Sequence, residues 1–469
     1  MHRTIPALSA VVVALAMLIT ACSGGNATSS APAASGTAQP TGPPVEIKWY
    51  CCLGTGDDKT QLPVEAKVVD DFNKSQTHIK LVFDHVAYAG ARAAFATRIA
   101  SGTPPDVVGP VGVGGAEAFR GQWLDLKDLI AKNNVDLSVY GQGAVDFYKV
   151  AGQGQIGIPF AVFPSFIYFN KDLFDEAGLP YPPQRFGDTY QGKEWNWDTL
   201  RDLAKQLTVD DKGNDATSQD FRPDSIVQFG FDLQYGTDPR AMATPFGANR
   251  LIDGAGRAQI PSNWLSAWNF FYDGMFRDHW MPNDPYRNSD VFGKGSVFNS
   301  GHLAMAYTHL WYTCCIDPVS KGGKVKNWDI AVVPSYQGVT TAKLHADTFV
   351  IMKATRHPDE AFQVYRYLIT NKDLLDVYGA MPAIGEMQAG FFRGMDDKFA
   401  PVKVNWQVAV DSLAYPDVPN HEEGLPNFLK ARQATTDFQT LIDTTPGLDI
   451  NTEAQKLQST LQAIYDEVH

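Results

Sequence analysis

From Val45 onward the apolar positions switch between a period of two and a period near 3.6, and the switches lay out the elements. Short β-rich runs occupy 46–50, 79–83 and 106–108. Between the first two, Leu62, Ala66, Val69 and Phe72 recur at helical spacing behind Asp57 and Asp58, which can cap a helix. A second helix is predicted over about 91–101. The order is βαβαβ, which predicts an α/β fold with a largely parallel sheet and ligands at the carboxyl ends of its strands. A second half opens after Gly157-Ile158-Pro159 with a strand at 166–169 and helices at 197–207 and roughly 261–276. A strand at 348–352, a helix from His357, and terminal helices at about 425–434 and 451–468 complete it. Trp264, Trp268, Phe271, Tyr272 and Met275 share one stripe of the 261–276 helix, a pattern that reads as core before it reads as a ligand platform.

The chain ahead of Val45 is of another kind. His2 and Arg3, an apolar run over 5–19 and the small exit Thr20-Ala21 have the anatomy of a secretion signal over 1–21. The run is too short for a spanning helix and no stop-transfer flank follows. Leu18-Ile19-Thr20-Ala21-Cys22 also resembles the lipobox of bacterial lipoproteins, which implies that Cys22 becomes the mature N-terminus, carries a diacylglycerol and anchors the chain to the cell membrane. The alternative is a plain secretory signal that contains a cysteine. Residues 23–44 hold no charged, aromatic or branched aliphatic side chain, so they cannot bury enough apolar surface to fold and form a tether, about 26 Å in reach.

Composition narrows the folded part. Removing 44 residues from 469 leaves 425, too many for one ordinary core and suited to two lobes. Apolar residues are 44% and aromatics 12%, enough to fill both. Thirty-nine basic against 52 acidic residues give a net charge of −13, the wrong sign for neutralising phosphates, so nucleic acid is not an expected partner.

Several ordered patterns then resemble the family 1 extracellular solute-binding proteins that feed ABC importers. They are Ser101-Gly102-Thr103-Pro104-Pro105-Asp106-Val107; Gly157-Ile158-Pro159 followed by Tyr168-Phe169-Asn170-Lys171-Asp172-Leu173-Phe174; and Ala177-Gly178-Leu179-Pro180 with Trp197-Asp198-Thr199-Leu200. Phe298-Asn299-Ser300-Gly301-His302-Leu303-Ala304-Met305, Pro358-Asp359-Glu360-Ala361-Phe362 and Gly379-Ala380-Met381-Pro382-Ala383 follow. The resemblance implies a two-lobe α/β fold of the periplasmic-binding-protein class II type, with the lobes joined by strands that cross near 158–163, 347–352 and 381–384. Lobe one would comprise 45–159 plus 350–382, and lobe two 160–349 plus 383–469. It implies a monomer that does no covalent chemistry, needs no cofactor or metal, closes around a sugar-like solute and presents it to a permease.

Sugars offer apolar ring faces and rims of hydroxyls, so a sugar cleft needs aromatic platforms with polar groups between them. In the resembled family an aromatic near 307–312 stacks on the sugar, and Trp311 is the favoured platform over a core role. His309 and Tyr312 flank it, as ligand contacts or as hydrogen-bonded structure. On the lobe-one side the candidates are Trp49, Tyr50, Asp57 and Tyr88, near strand ends. Trp49 and Tyr50 face opposite sides of their strand, so at most one is expected in the core. Phe163 lies at the first crossing and Asp347 at the second, where Asp347 is the preferred carboxylate, or else a strand-end cap. These segments contain no Arg or Lys, which tilts the choice toward neutral sugars.

Besides Cys22 the cysteines form two doublets, Cys51-Cys52 and Cys314-Cys315, and four cysteines allow three pairings. The resemblance puts one doublet in each lobe, where a bond between doublets would staple the lobes and oppose opening. Two vicinal disulfides are therefore favoured. Adjacent cysteines fit tetrahedral zinc poorly, so no metal is expected there. The rival readings are a secreted carbohydrate-active enzyme using two carboxylates, and a binding protein that presents its ligand to a receptor. No G-x-S-x-G, H-E-x-x-H or Walker A pattern is present.

Overall fold

The structure, a computed structural model, describes residues 42–234, 238–293 and 296–467. The signal, Cys22, the tether up to residue 41 and residue 468, the last of the predicted final helix, lie outside them. Ten strands form one sheet among the described residues: β1 (Val45–Cys51), β2 (Ile79–His85), β3 (Val107–Gly112), β4 (Ala161–Asn170), β5 (Val209–Asp210), β6 (Ile226–Leu233), β7 (Leu303–His309), β8 (Trp328–Ala331), β9 (Leu344–Ile351) and β10 (Met381–Pro382). Their order is β2-β1-β3-β9-β4-β7-β6-β5, with β8 and β10 also paired to β4.

The sheet is mixed, which corrects the expectation of a largely parallel one. β1 runs parallel to β2 and β3, and β6 parallel to β7, so each half keeps its own parallel set. The link between them is antiparallel: β3 to β9, β9 to β4, and β4 to β7, β8 and β10. All ten residues of β4 are buried, and its run Ala-Val-Phe-Pro-Ser-Phe-Ile-Tyr-Phe-Asn is what a strand covered on both faces requires. The sheet is continuous, and Pro43–His469 form a single unit.

Covering on both faces also settles Trp49 and Tyr50, both 0% exposed. The Trp49 indole N–H donates to the Gly109 carbonyl at 2.7 Å and the ring packs on Phe83 and Phe349. Tyr50 points to the other side, where its hydroxyl donates to the Ala91 carbonyl at 2.7 Å and its ring meets Phe95. Both are core, because β1 lies between β2 and β3 with apolar side chains packed on either side. Neither presents a face to solvent, which corrects their candidacy as ligand contacts.

Most predicted helices are present with shifted ends. The helix Leu62–Ser75 begins after Gln61, which makes no side-chain cap bond, and neither Asp57 nor Asp58 is its cap; Asp58 holds the turn before it, its carboxylate accepting from Thr60 and its carbonyl from Gln61 and Leu62. The tryptophan stripe of Ser262–Phe276 is buried along its length. The helix predicted over 425–434 runs from Phe428 to Thr444. Its threonines are weak helix formers, but Thr436, Thr440 and Thr444 return their hydroxyls to carbonyls one turn back. None of the helices among the described residues is long and apolar enough to cross a membrane.

At the end of β1 the sulfurs of Cys51 and Cys52 lie at bonding distance, buried over Glu65. Glu65 is itself 0% exposed; it accepts from the Tyr378 hydroxyl at 2.6 Å, and its second oxygen has no partner. Burial pushes its carboxyl up to about 7, with the Tyr378 bond opposing. The folded protein therefore binds this proton more tightly than the unfolded chain, whose carboxyl sits near 4.5. Stability drains as pH rises through the window between these values and is fully lost above about 7, by about 3 kcal/mol. Glu65→Gln should thus gain on the wild type by up to about 3 kcal/mol between pH 4.5 and 7 and plateau above, read from paired urea melts across pH. A constant difference across that range would exclude a buried titrating Glu65.

Candidate functional site

β4 is also what assembles the polar centre of the molecule. β7 ends with His309 opposite Ser165 of β4, and β9 sets His345 opposite Phe163. Ser165 and Phe163 are two residues apart, so both histidines project from the same face, and their rings lie 4.1 Å apart. Above them runs the segment 416–425, which brings His421 to 4.8 Å from the His345 ring.

That segment is tied down by Asp417, which has no exposed surface. Its carboxylate accepts from the Leu344 N–H at 2.7 Å, the His421 N–H at 2.8 Å and the His421 Nδ1 at 2.6 Å. Asn420 adds a bond to the Leu344 carbonyl at 2.9 Å. Further along, the Glu422 Oε2 lies 3.3 Å from His345 Nδ1, and the Glu422 side chain packs against Gly114. The glycines of the other half are shaped to this: a Cβ on Gly112 would stand 3.2 Å from the Asp347 carboxylate, and one on Gly114 3.4 Å from Glu422. Gly424 in turn lies so close to the Glu117 carboxylate that a Cβ there would require the Glu117 side chain to move. The segment thus contacts both halves of the sheet at once.

Charge follows from these contacts. Burial, helped by Glu422 and opposed by His345, pushes Asp347 up to about 6. Burial and the neighbouring His345, Lys343 and His421 hold His309 well below the usual imidazole range. Burial brings Lys343 down to about 8 against the pull of Asp417, Asp238 and Glu422. Glu422 stays ionised: burial, the largest single influence, opposes it, but His345 and His421 together hold its carboxyl below the usual range.

Of the sequence-predicted residues, the structure gathers His309, Trp311 and Asp347 at this centre. Trp311 is half-buried and lies parallel to the His309 ring at 6.0 Å. Phe163 is nearly buried beneath His345. Tyr312 is 0% exposed and packs on Tyr168 and Phe298, so it is a core residue and the ligand-contact alternative is corrected. Asp57 and Tyr88 sit together beyond β1 and β2: Asp57 accepts from the Tyr88 N–H at 3.0 Å and lies 2.9 Å from His85, while the Tyr88 ring is exposed. None of these bonds reaches the histidines. The sulfurs of Cys314 and Cys315 lie 2.6 Å apart just after Trp311, a hydrogen-bonding and not a covalent separation, which corrects the expectation of a second vicinal disulfide.

Sequence reasoning missed His345, His421, Asp417 and Glu422. His345 was within reach, since it shares a strand face with Asp347. It also missed cations. Arg240 pairs with Asp238 and donates to the Glu423 carbonyl, and Arg250 grips the Glu423 carboxylate through two bonds at 2.7 and 2.9 Å. Lys343 donates to the Ala241 carbonyl. The candidate segments hold no cation, but the folded junction does.

Two crevices open here. One, about 140 Å³, lies between Val113, Glu117, Arg120 and Phe147 on one side and Arg250, Pro419 and Glu423 on the other. The second, about 70 Å³, is lined by Arg240, Trp264, Asn420 and His421. Both are below the 300–1,000 Å³ usual for ligand pockets, because the 416–425 segment fills the space between the halves. Larger hollows of about 610 Å³ beside Phe186 and Tyr415, and about 510 Å³ between the last two helices, are open surface grooves away from the convergent polar groups.

Comparison with known proteins agrees with this architecture. The profile of the family described as bacterial extracellular solute-binding protein matches residues 57–374. Among solved structures, UspC of Mycobacterium tuberculosis is 18% identical, with a TM-score of 0.68, covering 90% of this chain and all of its own. The sugar-binding protein MalE of Xanthomonas citri is 16% identical at TM-score 0.67, over 90% of this chain and 98% of its own. The cyclic α-maltosyl-1,6-maltose binding protein of Arthrobacter globiformis is 16% identical at TM-score 0.64, over 90% and 99%. At such identities the likeness is one of fold, the two-lobe α/β arrangement.

Asp417 is where the junction is most vulnerable. Asp417→Ala strands three donors inside the protein, each costing about 1–3 kcal/mol. The variant should lose 3 kcal/mol or more of unfolding free energy in a denaturant melt; a loss under about 1 kcal/mol would show that the 416–425 segment is not held by this carboxylate.

Proposed function

The chain belongs to the bacterial extracellular solute-binding proteins, and from that membership we propose that it captures a carbohydrate between its two lobes and delivers it to the permease of an ABC importer. The family binds solutes and does not transform them, so the chain is a binding protein, not an enzyme. The observation that carries the sugar reading is Trp311, a half-buried indole set beside His309 and Asp347 at the junction of the two sheet halves. An apolar plate flanked by hydrogen-bonding groups is what a sugar ring with its rim of hydroxyls calls for. The sugar-binding proteins among the structural relatives support the same class of ligand.

In this reading, 45–159 plus 350–382 form lobe one and 160–349 plus 383–469 form lobe two, with β4, β9 and β10 as the crossings. The ligand lies on Trp311, with His309 and Asp347 as polar partners, Phe163 in the floor, and Asp57 and Tyr88 at the lobe-one rim. The crevices are too small for a sugar, so loading requires the lobes to part at the 416–425 segment. Lipidated Cys22 and the tether hold the body beside its permease. The Cys51-Cys52 bond stays within one doublet, and no bond joins it to Cys314 or Cys315, so the lobes are left free to open.

Thermal unfolding of the chain from Val45 onward, against a panel of mono-, di- and oligosaccharides, polyols and glycerophosphodiesters, tests this. One sugar class should raise the midpoint, with about 2.7 kcal/mol of added stability at one hundred times its dissociation constant. Trp311→Ala should weaken that binding about tenfold or more, equivalent to about 1.4 kcal/mol. No shift with any sugar, or consumption of the sugar, would overturn the reading.

A further inference from the structure

His309, His345 and His421 come from three separate parts of the chain, yet one ring nitrogen of each lies within 4.8 Å of the other two. We propose that these histidines bind a single transition-metal ion of the zinc class, with the fourth position left to water or a ligand oxygen.

The hydrogen bonds around the rings already orient them for that task. Asp417 takes the Nδ1 of His421 at 2.6 Å, which makes Nε2 the free lone pair, and that atom lies 3.3 Å from the Nε2 of His345. The Nδ1 of His345 is 3.3 Å from Glu422 Oε2, an ion-pair contact without hydrogen-bond geometry, and the pull of that carboxylate favours the same tautomer. Two imidazole lone pairs are thereby turned on one another. Zinc–nitrogen bonds of about 2.0–2.1 Å at a tetrahedral angle place two ligand nitrogens about 3.3 Å apart. A carboxylate behind a metal-binding histidine is the usual supporting arrangement, and here two of the three rings have one.

The third ring supplies an independent observation. His309 is 3% exposed, and its Nε2 has no hydrogen-bond partner. A proton shared by His345 and His421 would relieve their facing lone pairs but would leave His309 orphaned; a metal ion engages all three. The Asp417 and Glu422 carboxylates, 2.6 Å from His421 Nδ1 and 3.3 Å from His345 Nδ1, stand beside the site to offset the added positive charge. All-imidazole donation suits zinc and its neighbours and does not suit calcium or magnesium, which take oxygen. The inference does not rest on the sugar reading.

The test uses the whole exported chain, stripped with a chelator and titrated with Co²⁺ and then Zn²⁺. One equivalent of cobalt should bind with the spectrum of a tetrahedral, nitrogen-liganded ion free of thiolate charge transfer, and zinc should displace it. His309→Gln should weaken binding more than about 100-fold, and Asp417→Asn by about 10–100-fold. His309→Gln is the stricter variant, because the lost ring nitrogen holds no bond in the metal-free protein; an unchanged melting midpoint without metal confirms its fold. A thiolate band, which would put the metal on a cysteine doublet, overturns the proposal. So does affinity that is equal in wild type and His309→Gln, or the absence of binding. Sugar-induced shifts recorded in chelator report on capture alone, so the two readings can fail separately.

Discussion

The structure depends on one strand having to satisfy its backbone on both edges with two different sets of partners. β4 is buried throughout, and no water is available to its N–H and C=O groups. Its first residues pair with β9 and β10 and its later ones with β7 and β8. That division lets two parallel sets of strands share one sheet. It also means that the two chains flanking the middle of β4 end or begin there, and their terminal residues, His309 and the 344–347 stretch, are delivered to a common face.

A face of that kind carries backbone groups and polar side chains that must be paired or wetted. The 416–425 segment pairs them, chiefly through Asp417, and it does so while leaning on Gly112 and Gly114 of the other half. What glycine gives here is room for the approach of Asp347 and Glu422, not turn geometry, since Gly112 has an ordinary extended backbone; a Cβ would be tight against Asp347 and in plain contact with Glu422. Close packing of a carboxylate on backbone needs the absence of a Cβ more than it needs flexibility.

What was legible in the sequence was whatever follows a local period. The strand runs, the helix around the Trp264 to Met275 stripe and the two-half organisation are written in spacings of two and 3.6. Trp49 and Tyr50 were harder, because alternation shows that they face opposite ways but not that both faces of β1 are covered. Trp311, His309 and Asp347 were placed near one another by resemblance. His421, Asp417 and Glu422 were not, because their meeting with β9 is created by a long chain excursion between residues 351 and 416 that leaves no spacing to read. The three histidines have no metal motif for the same reason.

The contacts across the junction differ greatly in strength, and the difference decides where it can part. On the β9 side, Asp417 takes the buried Leu344 N–H and Asn420 gives to the Leu344 carbonyl, while two further Asp417 bonds to His421 stiffen the segment itself; stranding the Leu344 donor costs about 1–3 kcal/mol. Within the same half, Arg250 and Glu423 form a partly exposed pair worth about 1 kcal/mol or less. Toward β3, the segment offers only Glu422 against two glycines and Gly424 against Glu117. Glu422 can turn from Gly114 to water as that seam opens, while keeping its ion pair with His345. Separation therefore costs least along the Gly112–Glu117 edge, with 416–425 travelling as part of the half that carries β7 and β4. The histidines and Trp311 then stay together on one wall, which is exposed as a preformed surface whenever the edge lifts.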